Sequence, residues 1–113
     1  MPALELLRGT LDLLILKALA REPLHGYGVI RWIEEATGQA LEIEEGSLYP
    51  ALYRLEDRGW VESDWGLSEN NRKARYYQLT PRGRSQLKAE VREFTLFTRA
   101  VFRAIEQPRT ATP

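Results

Sequence analysis

The chain of 113 residues is 43% hydrophobic, enough for one compact core but not for two independent ones, and its charges balance at 16 Lys plus Arg against 16 Asp plus Glu. Cysteine is absent, which excludes disulfides, thiolate metal sites and cysteine nucleophiles together. No leader pattern opens the chain and no apolar run approaches the roughly 18 residues that span a bilayer, so a cytoplasmic protein without a membrane partner is expected.

The charges are unevenly placed. Between residues 72 and 92 stand Arg72, Lys73, Arg75, Arg82, Arg84, Lys88 and Arg92 against the single acid Glu90, whereas Glu34, Glu35, Glu42, Glu44 and Glu45 occupy 34 to 45 with no Lys or Arg. A dipolar molecule follows, with the basic side as the candidate polyanion surface and two ordinary solvated faces as the plain alternative.

Residues 4 to 20 carry Leu4, Leu6, Leu7, Leu11, Leu13, Leu14, Ile15, Leu16 and Leu19 among good helix formers, and read as a first helix closed by Glu22-Pro23. A helix apolar over most of its girth needs two sets of neighbours, and a second subunit is one of them. The segment HGYGVIRWIEEATG puts Tyr27, Ile30, Ile33 and Glu34 at helical spacing and ends on Gly38, so a second helix is expected from about 26 to 37, with His25 organising its start through a hydrogen bond. A third begins near Gly46-Ser47, where Ser47 can cap a free amide and Pro50 falls in the first turn, and runs to Gly59.

The periodicity then changes. WVESDW and RYYQL read as strands around the turn-rich GLSENNRKA, a β-hairpin with a long tip. Thr80-Pro81 supplies a cap and a proline for the first helical position, opening a last helix to about 106 on which Leu87, Val91, Phe94, Thr98, Val101 and Ile105 recur every three or four residues. The fold class expected is mainly α with a small β-hairpin. Its domains would be a winged helix-turn-helix over 1–80, a long dimerisation helix over 81–106 and a disordered tail over 107–113.

Three helices followed by a hairpin is the layout of a winged helix-turn-helix, whose third helix lies in the major groove of double-stranded DNA. At 100° per residue Leu48, Leu52 and Leu55 share one face of that helix, leaving Pro50, Tyr53 and Arg54 outward with Ser47 and Tyr49 flanking. Hydroxyls, an arginine and apolar ring carbons are the groups that meet phosphates, guanine and thymine methyls, although Tyr49 could equally pack against the wing. The tip NNRKAR offers Arg72, Lys73 and Arg75 to sugar-phosphate. The last helix is roughly 39 Å long at 1.5 Å per residue, too long for one small domain to cover. A homodimer built from Leu4, Leu7, Leu11, Leu87, Val91, Phe94, Val101 and Ile105 is therefore expected.

The strings LRGTLDLLILKAL, HGYGVIRWIE, EEGSLYPALYRLEDRGWV and RKARYYQLTPRGRSQL resemble the successive blocks of the PadR family of transcriptional regulators over most of residues 7 to 88. The resemblance implies a winged-helix homodimer, usually a repressor on a palindromic operator, and the single C-terminal helix is similar to the short subfamily. By position it implies recognition-helix contacts at Ser47, Tyr49, Pro50 and Arg54 and wing contacts at Arg72, Lys73 and Arg75. Some short members that sense drugs carry a tryptophan on the last helix, where this chain has Phe94 and Phe97. Core or dimer packing is the favoured reading of both phenylalanines. Any effector is expected to be a small apolar or aromatic molecule lodged there between subunits.

Catalysis finds no support: His25 is the only histidine and there is no phosphate loop or metal spacing, so neither cofactor nor metal is expected. The remaining rival is a winged-helix module that binds another protein, which would place acidic or apolar groups where Ser47, Arg54, Arg72, Lys73 and Arg75 stand.

Overall fold

A computed structural model describes residues 9–109. Its elements are α1 (Thr10–Ala18), β1 (Leu24–His25), α2 (Gly26–Ala36), α3 (Glu45–Asp57), β2 (Val61–Leu67), β3 (Lys73–Leu79) and α4 (Pro81–Ile105), with the strands in the antiparallel order β1-β3-β2. The expected mainly helical fold with a small hairpin is present.

Burial follows the apolar spacing. Ile15, Leu16 and Leu19 from the first helical segment, Val29 and Ile33 from α2, and Leu48, Ala51, Leu52 and Leu55 from α3 converge with Val61, Tyr77 and Leu79 of the sheet into one core. Alternation along the hairpin sorts its faces. Val61, Ser63, Trp65 and Leu67 pair across from Leu79, Tyr77, Arg75 and Lys73 on the inner face, where Val61, Tyr77 and Leu79 close the core and Trp65 and Leu67 run out beyond it.

Four details differ from the sequence expectation. The first helix begins at Thr10, because Gly9 takes a left-handed φ of 85°, and it ends at Ala18, well before Glu22-Pro23. Leu4, Leu6 and Leu7 lie outside the described residues, as do positions 110–113 of the expected disordered tail. Ser47 is not a cap: α3 starts at Glu45 after Glu44, whose carbonyl accepts from the amides of both Ser47 and Leu48. Pro50 is consequently inside the helix, beyond the first turn, and the amide it lacks would have served the carbonyl of exposed Gly46. The strands also reach further than expected, so Lys73 and Arg75 belong to β3 and only 68–72 form the tip. There Ser68 bonds the backbone of Arg72 in both directions and Asn71 adopts a φ of 58°.

The junction of wing and last helix is tight. Thr80 Oγ1 accepts from the Gly83 amide at 3.0 Å and donates to the Gly59 carbonyl at 2.6 Å, while the Thr80 amide donates to the Trp60 carbonyl at 3.1 Å. Gly83 lies directly on Trp60, and a β-carbon there would overlap the Trp60 carbonyl oxygen. From this joint α4 runs 25 residues, roughly 37 Å, past the edge of the core. The radius of gyration is 17.0 Å, against about 13 Å for a compact chain of this length.

Gly83→Ala should therefore lower unfolding stability by about 3 kcal/mol, the upper end for overpacking. Gly46→Ala, with nothing within 4 Å of the added carbon, should leave stability unchanged or raise it slightly. Urea titrations followed by circular dichroism compare the two, and equal midpoints for Gly83→Ala and wild type would contradict the close contact.

Candidate nucleic-acid interface

The outward face of α3 is as the leucine spacing requires. Ser47, Pro50, Tyr53 and Arg54 are exposed, opposite the fully buried Leu48, Leu52 and Leu55. Tyr49 is half-buried: its hydroxyl rests on Gly26, where any β-carbon would come within 2.5 Å of it, and its ring lies 6.5 Å from that of Tyr53. Burial, and next the Glu45 carboxylate, raise the Tyr49 pKa, which keeps the phenol a neutral donor. Tyr49 thus packs on the start of α2, not against the wing as the sequence reading offered, and its edge lines an open cleft.

That cleft, about 470 Å3, lies between the start of α2 and the inner face of the wing. His25 builds its floor by accepting the Gly28 amide at Nδ1 at 2.9 Å, which caps α2 as expected and turns the next residues outward. Tyr27, which shares helical spacing with Ile30 and Ile33, is 58% exposed here, with the Arg31 guanidinium 5.9 Å from its ring centre. Trp65 faces the same space from the wing, with Lys73 Nζ at 5.0 Å and the Arg75 guanidinium at 6.0 Å from its ring. Tyr27, Arg31 and Trp65 are cleft residues that the sequence reading did not single out. The available signal was local: a tyrosine flanked by glycines with an arginine four residues on is a surface pair on a helix.

The cations divide into two kinds. Arg54 Nη2 donates to Asp12 Oδ1 at 2.8 Å, binding the last turn of α3 to α1. Arg75 donates to Ser63 Oγ at 2.8 Å and reaches Glu56 Oε2 at 3.5 Å, and Ser63 donates to the same carboxylate oxygen at 2.6 Å, tying the wing to α3. Arg72 and Lys73 are exposed and form no ion pair among the described residues. The basic run that continues through Arg82, Arg84, Lys88 and Arg92 belongs to α4, where Arg84 donates to the Ala20 carbonyl at 3.2 Å. The acidic run has a structural part as well: Glu34 Oε2 accepts the Ile43 amide at 3.2 Å. Among the described residues no three His, Cys, Asp or Glu side chains gather as a metal site, and no helix is long and apolar enough to cross a membrane.

The other expected contacts lie on α4. Leu11 and Leu87 are partly buried against the core, whereas Val91 (43%), Phe94 (37%), Val101 (39%) and Ile105 (68%) are open to solvent, as is Phe97 (62%). Phe94 and Phe97 come together with Gly9, Thr10, Leu13, Glu90 and Glu93 around a second cleft of about 290 Å3 between α1 and α4. The Glu90 pKa is raised by burial first and then by the charges of Asp12 and Glu93, with Arg58 and a Gln86 hydrogen bond opposing. Its Oε2 is buried and accepts no hydrogen bond among the described residues.

Comparisons with known proteins agree with this geometry. The model of the transcriptional regulator PadR-like family matches residues 15–89. A protein of Lysinibacillus sphaericus without an assigned function is 30% identical over 90 residues, covering 80% of this chain and 83% of its own. Among solved structures, a transcriptional regulator from Clostridium thermocellum is similar at a TM-score of 0.77 and 31% identity, covering 85% of this chain and 90% of that one. A PadR family transcriptional regulator from Eggerthella lenta is similar at 0.74 and 30% identity, covering 89% and 86%. With a winged-helix fold and a family model over most of its length, the chain belongs to the PadR-like family of transcriptional regulators.

Proposed function

We propose that the protein is a repressor that binds a palindromic operator as a homodimer, with α3 in the major groove and the hairpin along the adjoining backbone. The observation that carries this reading is the uncovered apolar stripe of α4, from Val91 to Ile105, on a helix that also fixes the pose of α3 through the Thr80 joint. Pairing that stripe with a second copy covers it and sets two recognition helices about one DNA turn, roughly 34 Å, apart. Leu11 extends the seam from α1, and Leu4 and Leu7 would join it from outside the described residues.

On the DNA side, Ser47, Pro50, Tyr53 and the edge of Tyr49 are the groove-facing groups of α3, and Arg72 and Lys73 are the wing cations that form no ion pair among the described residues. Arg54 and Arg75 act in this reading from fixed positions, one held by Asp12 and the other by Ser63 and Glu56. The cleft beside Phe94 and Phe97 is the place for a small apolar or aromatic effector between subunits. A DNA ligand also implies a cytoplasmic protein.

The direct test is footprinting on DNA upstream of the protein's own gene, with a reporter from that promoter. A protected palindrome and a rise in expression on loss of the gene are expected, and protection without a rise would remove the repressor assignment. In titrations across salt concentration, Arg72→Ala with Lys73→Ala should weaken specific and nonspecific binding alike. The salt slope should flatten by about one unit for each phosphate that is no longer neutralised. Unchanged slopes would take the wing off the DNA.

Val91→Asp or Val101→Asp should give a folded monomer, because both side chains are already open to solvent within the protomer. Operator binding should fall with the dimer although neither residue is assigned to DNA. Sedimentation equilibrium with circular dichroism reads both. A wild-type protein that is monomeric at tens of micromolar and still protects its operator would contradict the arrangement.

A further inference from the structure

The inner face of the wing changes character beyond the core. Val61, Tyr77 and Leu79 are buried, but the next positions of β2 on the same face, Trp65 and Leu67, are 58% and 66% exposed. Their cross-strand partners are Arg75 and Lys73, and the Lys73 ammonium lies 5.0 Å from the Trp65 ring centre, an attraction that keeps ring and cation side by side. From the outer face Tyr76 braces the same stretch. Its hydroxyl donates to the Leu67 carbonyl at 2.8 Å, and its ring covers Gly66, where a β-carbon would come 2.9 Å from it. An apolar pair is thus presented at the edge of the sheet on a fixed strand, bordered by cations.

We propose that Trp65 and Leu67 enter the minor groove of the operator, next to the major-groove site of α3. The inference rests on the DNA reading above and deepens it, because the wing then makes an apolar contact with the duplex as well as a phosphate contact. The walls of the minor groove are deoxyribose hydrocarbon with phosphates along both rims, which is the complement of an apolar ring bordered by Lys73, Arg72 and Arg75. At roughly 6 Å the groove admits a flat indole edge-on and excludes a helix. Charge selects the same occupant: the cleft that Trp65 overlooks is lined by Arg31, Arg72, Lys73 and Arg75 against the single acid Glu69, which favours a polyanion over a neutral protein surface.

Titration of the full chain on its footprinted operator across salt concentration tests the contact. Trp65→Ala should weaken binding about tenfold and leave the salt slope unchanged, because an indole neutralises no phosphate. Trp65→Phe should recover most of the loss. The side chain is open to solvent, so its replacement leaves the core intact. Exchanging adenine for 2,6-diaminopurine at the pairs flanking each half-site adds an amino group to the minor groove and keeps the major-groove edge as it was. Wild type should lose about tenfold on that operator, and Trp65→Ala less than about twofold further.

A flattened slope for Trp65→Ala would mean that the ring serves only to hold Lys73 and Arg75, and overturns the proposal. Unchanged affinity does the same, as does an equal diaminopurine penalty in variant and wild type. In each of these cases a protected operator leaves the DNA reading standing. Failure of the wild-type protein to protect any DNA removes that reading, and this inference with it.

Discussion

The arrangement of the whole molecule depends on the short contact between the start of α4 and the turn that leaves α3. Thr80 holds three backbone groups at once: it caps α4 through Gly83, donates its hydroxyl to Gly59 and donates its amide to Trp60. Gly83 then lets the helix lie on the Trp60 carbonyl at a distance no other residue permits. Since the hairpin leaves α3 at Gly59 and Trp60 and returns at Thr80, α3, the wing and the long helix all meet there. A rigid joint matters more here than in a compact domain. α4 is a lever of roughly 37 Å, so an error of a few degrees at Thr80 becomes a displacement of ångströms at its far end, and in the proposed dimer the spacing of the two α3 helices would inherit it.

A zero net charge is compatible with a polyanionic ligand because the cations are not equivalent. Arg54 and Arg75 spend their guanidinium groups on Asp12, Ser63 and Glu56, fixing α3 to α1 and the wing to α3. Pairs this exposed add little stability, of order 1 kcal/mol or less, but they hold the side chains in one orientation. Lys73, Arg72 and Arg31 have no such partner among the described residues and can follow a phosphate backbone. The acidic run is drawn away from that surface in part by structure: Glu34 fixes Ile43, which is buried, and thereby sets where α3 enters.

Much of this was legible in the sequence where a local rule and the global fold agree. The leucine spacing of α3, the Thr80-Pro81 start of α4, the His25 cap and the left-handed Gly38 each act within one turn of helix, so neighbouring residues suffice to read them. The misses come from contacts distant in the chain. Ser47 is a good cap by type, but the anchoring of Ile43 by Glu34 delivers the chain to its helix at Glu45, and Ser47 arrives already inside. β1 is two residues long and exists because Tyr76 and Tyr77 of β3 pair with it. Tyr27 shares helical spacing with the buried Ile30 and Ile33, yet it lines the cleft. Of the candidate site, the face of α3 was readable and the commitments of Arg54 and Arg75 were not, since Asp12 lies 42 residues from one and Glu56 lies 19 from the other.

Asp12 gives the second cleft its relation to the first. It stands on α1, the helix that packs between α3 and α4, and its carboxylate is shared electrostatically by Arg54 on one side and Glu90 on the other. Loss of Glu90's negative charge would relieve the repulsion on Asp12, the acceptor of Arg54. Arg54 in turn lies on the exposed side of the helix whose opposite side is packed leucine, so a change in its position would need no rearrangement of the core. Coupling of this kind needs no moving domain. It requires only that Asp12 and Glu90, both partly buried, act on each other through a medium that screens charge less than water does.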